Sequence, residues 1–183
     1  MNIEIIDYDT YKRLNYDSVF KDYHNDFYRI YGKIVAGDSY AKIAWSSDLL
    51  RPQFIEVFPK IFAIGIDQDF AIYDFDLKRR IMYLDLGFLF CEMAIFEKKI
   101  LIATELEVIV IDTQQYKVID TIPLQDTYDK MKINCGEVKI YCMDHSFEIL
   151  LQKNSLKDGK CPKSKQSQHI YNTLYIKALG KSI

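Results

Sequence analysis

The chain has 183 residues, of which 49% are hydrophobic, 27% charged and 14% aromatic, a balance that excludes bulk disorder and a membrane bundle. A domain of this length buries about 70% of its unfolded surface, so it needs no disulfide or metal to fold. The formal net charge is −2, so no whole-molecule field draws nucleic acid to it.

The first residues, MNIEIIDYDTYKRLNYD, lack the basic region and apolar run of an export signal. No stretch of 18 apolar residues follows anywhere. The expected location is cytoplasmic, with no membrane partner and with Cys91, Cys135, Cys142 and Cys161 as reduced thiols. One short helix is expected over residues 10–23, capped by Asp9, with Tyr11, Leu14, Val19 and Phe20 as its apolar stripe. From residue 27 on, β-branched and aromatic runs alternate with short polar turns. Strands are expected at 27–36, 41–45, 54–58, 61–66, 70–75, 81–86, 91–96, 100–104, 108–112, 118–123, 130–135, 138–143 and 146–151. Spacings of eight to twelve residues leave no room for crossover helices. The fold class is therefore mainly β: an antiparallel meander of successive hairpins, forming a curved open sheet, an incomplete propeller-like array or a β-sandwich.

The basic, turn-rich stretch 153–168 reads as a mobile loop. Residues 169–179 regain strand alternation and are expected to return to the N-terminal strand at 3–6, covering its edge. The whole is read as a single domain: a region 1–60, a repeat-like meander 61–151, the basic loop 152–168 and a C-terminal strand 169–183. Charge follows these regions. Residues 61–150 hold 9 basic and 16 acidic side chains, whereas residues 151–183 hold 7 basic and 1 acidic.

Two segments align at an offset of 38 residues, IFAIGIDQDFAIYDFDLKRRIMYLDL from Ile61 and KILIATELEVIVIDTQQYKVIDTIPL from Lys99. Gly65 matches Ala103, Asp67 matches Glu105, Asp69 matches Glu107 and Asp74 matches Asp112. A partial third copy, KIYCMDHSFEILL from Lys139, puts Cys142 at the small position. Each unit reads as strand, acidic turn, strand ending in Asp, polar turn and third strand. Over about residues 60–151 this resembles the blade repeat of β-propellers, and the resemblance implies blades of short antiparallel strands. The WD dipeptide, the Gly-His pair and the kelch double glycine are missing. Residues 1–60 lie outside the repeat, which favours an open meander over a closed ring.

Chemistry-bearing patterns are sparse. Cys142 and His145, with Cys135 upstream, lack a fourth zinc ligand, and strand cysteines commonly pack as small hydrophobes. No local motif pairs a cysteine with His24, His145 or His169 as nucleophile and base. Asp67-Gln68-Asp69 resembles the start of a calcium loop but lacks its glycine and terminal Glu, so it reads as a hairpin turn. No phosphate-binding glycine loop or other cofactor motif occurs, so no cofactor is expected.

The expected function is non-catalytic protein binding or inhibition. A basic protein partner would dock on Asp67, Asp69, Asp74, Asp76, Glu105 and Glu107. In type, a small acidic protein without catalytic motifs is similar to the immunity proteins of bacterial toxin–immunity pairs, which implies inhibition of a basic toxin. Two alternatives are a scaffold module that completes a β assembly as a homo-oligomer through uncovered strand edges, and a small hydrolase or nuclease using the basic tail 153–165 to hold an anionic substrate.

Overall fold

The computed structural model describes residues 1–20, 30–134, 136–143, 149–152 and 176–178. Over these residues it is a mainly β, antiparallel meander with one short helix. The chain divides into two compact units, Met1–Ile122 and Pro123–Ile183.

The first unit holds three sheets in chain order. Sheet A is β1(Asn2–Ile6), β2(Ile30–Ala36) and β3(Ser39–Trp45), in the order β1-β2-β3. Sheet B is β4(Gln53–Phe58), β5(Ile61–Ile66), β6(Asp69–Asp74) and β7(Arg79–Asp85), neighbours throughout. Sheet C is β8(Phe90–Phe96), β9(Lys99–Thr104), β10(Glu107–Asp112) and β11(Lys117–Pro123), also neighbours throughout. The 38-residue offset is therefore one four-stranded sheet: β5, β6 and β7 recur as β9, β10 and β11. Sheets B and C are thus blade-like. Residues 1–60, which lie outside the repeat, divide between sheet A and the first strand of sheet B.

The cores explain why the central strands are continuously apolar. Phe62, Ile64, Ile66, Ala71 and Tyr73 of sheet B pack with Ile34, Ala41, Ile43 and Trp45 of sheet A. Ala63, Phe70 and Ile72, on the opposite face of sheet B, pack with Phe90, Met93, Ile100, Ile102, Ile109 and Ile111 of sheet C. A sheet covered on both faces needs apolar residues at every position, so alternation disappears from β5 and β6. The register agrees, since Gly65 opposes Phe70 and Ala63 opposes Ile72 on one face, while Phe62 opposes Tyr73 on the other.

The N-terminal helix is α1(Tyr8–Arg13), shorter than expected over 10–23. Its cap is Asp7 rather than Asp9: the Asp7 carboxylate accepts from the Thr10 amide at 2.8 Å and the Thr10 hydroxyl at 2.9 Å. Those bonds hold the Asp7 carboxyl below its ordinary value. Val19 and Phe20 are buried, yet they are not on the helix. Ser18 forms a parallel bridge to Lys42, with Val19 N–H donating to the Lys42 carbonyl and Lys42 N–H to that of Asp17. Strand pairing against β3 thus outcompetes the last turns of the expected helix.

Tyr73 is fully buried in the core between sheets A and B, and its hydroxyl has no hydrogen-bond partner among the described residues. Burial first, then Asp17 and Asp74, pushes its pKa up to about 12. An unfolded tyrosine titrates near pH 10. Stability from this group is therefore complete below pH 10 and falls as pH rises to 12, by up to about 2–3 kcal/mol. Urea midpoints measured from pH 9 to 12 should fall more steeply in the native protein than in Tyr73→Phe.

The second unit is sheet D: β12(Tyr128–Asn134), β13(Glu137–Cys142), β14(Ile149–Gln152) and β15(Ile176–Ala178), in that order. The expected return of the C-terminal strand to 3–6 is corrected here. β15 pairs with β14, Leu151 opposite Ile176, and β1 pairs with β2, Ile3 opposite Ile34. Pairing with a strand nearer in sequence costs less chain entropy than a return to the N-terminus. The expected loop 153–168, most of the strand 169–179, the start of the strand at 27–36 and residues 144–148 lie outside the described residues.

Candidate interaction surface

Antiparallel hairpins send successive turns to opposite ends of a sheet, and this separates the six acidic candidates. Asp67, Asp69, Glu105 and Glu107 bound the β5–β6 and β9–β10 turns at one end. Asp74 and Asp76 lie at the β6–β7 turn at the other.

Two of the six serve the backbone. Asp67 takes a positive φ of 50°. Its carboxylate accepts from the amides of Ser46 at 2.5 Å and Ser47 at 3.2 Å. Asp74, only 8% exposed, accepts from the amides of Asp76 and Leu77, both at 2.9 Å. Its repeat partner Asp112 accepts from Gln114 at 2.8 Å and Gln115 at 2.7 Å. Both turns then pass through a positive φ of 51°, at Lys78 and at Tyr116. The matched Asp is therefore an Asx-turn device, in which a short carboxylate bonds the main chain two and three residues on. Replacing Asp74 or Asp112 by Ala should cost about 1–2 kcal/mol, and by Asn much less, since the amide oxygen keeps the acceptor. Chemical denaturation of the four variants checks this.

The other four are engaged in other ways. Asp76 pairs with Lys60 at 2.7 Å, both side chains more than half exposed, so the pair contributes little to stability. It nevertheless raises the Lys60 pKa. Asp69 accepts from the Tyr83 hydroxyl at 2.6 Å. Glu105 and Glu107 are half-buried, and their main chains hold the turn. Glu105 N–H donates to the Leu89 carbonyl at 3.0 Å, and Glu107 N–H donates to the Thr104 hydroxyl at 3.2 Å.

Hydrogen bonds join the loops at the Asp67 end into one strip. Ser46 and Ser47 bond the Asp67 carboxylate. The Asp67 carbonyl accepts from Phe90 N–H at 2.6 Å, and the Leu89 carbonyl accepts from Glu105 N–H. Within the β3–β4 loop, Leu50 N–H donates to the Ser47 hydroxyl at 3.0 Å. Beneath the rim, Gln53 reaches the Cys91 carbonyl at 3.2 Å. This strip presents four exposed leucines: Leu49 at 90%, Leu50 at 47%, Leu89 at 44% and Leu106 at 39%. In the same loops Asp48 precedes Leu49, Arg51 follows Leu50, and Glu105 precedes Leu106. Single exposed leucines are ordinary, but here four fall on hydrogen-bonded loops at one end of the sheets. Sequence reading selected the carboxylates and missed the leucines. Their only signal was position, since each falls in a turn or loop between strands rather than on a strand face.

Of the cysteines and histidines in the nucleophile and metal readings, Cys91 and Cys142 are described. Cys91 is half-buried and free. Burial first, then Glu105 and Glu92, pushes its thiol pKa up, so the reactive thiolate is disfavoured. Cys142 is buried, and its thiol is likewise raised, chiefly by burial. No group of three potential metal ligands occurs among the described residues. Cys135, Cys161, His24, His145 and His169 lie outside them. Asp67-Gln68-Asp69 is the hairpin turn expected of it. No helix among the described residues is long and apolar enough to cross a membrane.

No protein-family model matches the chain, and no curated protein matches it in sequence. Among solved structures, Hsv2 of Kluyveromyces lactis superposes with a TM-score of 0.35 at 11% identity, over 56% of this chain and 33% of that one. A variant of it with loop 6CD replaced by a Gly-Ser linker gives 0.35 at 10% identity, over 63% and 39%. The chain thus spans about a third of the length of these proteins.

Proposed function

We propose that the protein is a non-catalytic binding module that docks a partner protein on the rim formed by the β3–β4, β5–β6, β7–β8 and β9–β10 connections. The observation that carries this reading is the set of four exposed leucines on loops joined by hydrogen bonds. Pre-ordered loops lose little entropy on binding. Exposed apolar side chains on loops that also carry carboxylates suit a partner segment with apolar anchors and basic flanks. The most specific form of the reading is an inhibitor that covers a basic protein, as an immunity protein covers a toxin.

The test uses tagged native protein beside Leu89→Asp, Leu106→Asp and the double charge reversal Glu105→Lys/Glu107→Lys. Asp67 and Asp74 are left intact because they hold turns. Capture of one stoichiometric basic protein, weakened at least about tenfold by either leucine change, is the expected result. Equal capture by all variants overturns the reading.

A second reading rests on β11, the edge strand of sheet C, which exposes Val118 at 41% and Ile119 at 48%. An exposed apolar edge can pair with a second copy. On that reading light scattering gives at least twice the chain mass, and Ile119→Lys returns it to one.

A further inference from the structure

The structure assigns a phosphate-binding subsite to the face of sheet A opposite its core, at Lys33 and Lys42. The two lysines are directly opposed across β2 and β3. Opposed residues share a face, with Cβ atoms about 5 Å apart, and like charges so placed repel. Neither side chain is fully exposed. Lys33 is 24% exposed, and Lys42 is half-buried.

Tyrosines enclose the pair. Lys33 Nζ stands 4.5 Å from the centre of the Tyr40 ring, and Lys42 Nζ stands 4.9 Å from that of Tyr11. Tyr11 packs on Tyr31 at 4.9 Å, and Tyr16 stacks on Tyr40 at 5.6 Å.

Among the described residues, compensation for the two positive charges is incomplete. Glu4, directly opposite Lys33 on β1, lies 3.6 Å from its ammonium. Among the described residues, Lys42 Nζ donates to the Leu14 carbonyl at 3.5 Å, stands over the Tyr11 ring, and has no carboxylate within ion-pair distance. The nearby Asp7 and Asp9 are engaged elsewhere, by the helix cap and by Lys12 at 3.3 Å. An ammonium has three donors, and an aromatic face attracts the charge without satisfying them as oxygen does. A phosphate group supplies several oxygens and up to two negative charges. It satisfies both ammoniums together and removes their repulsion.

This subsite is independent of the rim. The test titrates the native protein with inorganic phosphate and, separately, with phenyl phosphate, while recording lysine side-chain NMR and the melting temperature. Sodium chloride at matched ionic strength is the reference. Saturable shifts of Lys33 and Lys42 resonances, and a phosphate-dependent rise in Tm beyond that of chloride, are expected. Tightest binding of phenyl phosphate identifies an organic ester as ligand, and equal binding identifies the free ion. Lys42→Met should weaken the response at least about tenfold, whereas Lys12→Met should keep it. Should Lys42→Met fail to fold, the native-protein NMR titration alone decides. Lysine shifts no larger than in chloride, or equal phosphate responses in both variants, overturn the assignment.

Discussion

Gly65→Val should cost about 3 kcal/mol or more, with Gly65→Ala intermediate. Gly65 is in the middle strands of sheet B, and a Cβ built there would run into the Phe90 ring. That ring is 4% exposed and is seated in the core between sheets B and C. Overpacking a filled core forces side chains off their rotamers or moves the backbone, at about 1–3 kcal/mol and occasionally more. Here the obstacle is a buried aromatic ring from the neighbouring sheet, so the upper end applies. The control is a double-mutant cycle with Phe90→Ala. If the close approach is the cause, the double variant loses at least about 1 kcal/mol less than the sum of the singles. Simple addition would show that the glycine is needed for something other than space. Circular dichroism in urea provides the readout.

Phe75→Ala should cost about 3–5 kcal/mol. Phe75 is fully buried just past β6, and its amide is tied to the Lys60 carbonyl at 3.0 Å. Its ring meets Tyr73 at 4.9 Å and Phe62 at 5.6 Å, both edge-to-face. Loss of the ring leaves a cavity and removes both aromatic pairs. Trp45, the one tryptophan of the chain, lies 4% exposed in the same core. Its fluorescence therefore reports this seam directly. A domain is typically stable by only about 5–15 kcal/mol, so the variant should unfold at much lower urea. A midpoint within error of the native protein would show that the seam between sheets A and B is not a cooperative part of the fold.

The first of these predictions grows out of a regularity visible in the sequence. The small position shared by Gly65, Ala103 and Cys142 was legible as a repeat feature. For Gly65 its meaning was not, because the ring it admits belongs to the next sheet, 25 positions along the chain. The matched Asp74 and Asp112 were likewise legible as hairpin markers, and both bond their own turns. Such local chemistry is written in neighbouring residues and survives without knowledge of the rest of the chain.

The errors came where partners are distant. Tyr11, Leu14, Val19 and Phe20 resemble a helical stripe, yet Val19 is fixed by a hydrogen bond to Lys42 on β3. Residues 169–179 alternate as a strand, but alternation names no neighbour. The described part pairs with β14. The six carboxylates are evenly acidic in sequence, and hairpin topology sends them to opposite ends.

Composition, period and turn chemistry were therefore enough for the class of this protein: an antiparallel β meander of repeated hairpins, with an acidic middle. Those properties depend on neighbours within a few residues. Which strands pair across long loops, which faces meet, and which loops gather Leu49, Leu50, Leu89 and Leu106 into one rim depend on contacts between residues far apart in the chain. No local pattern encodes such contacts, because burial on both faces of sheet B erases the alternation that would tell one face from the other.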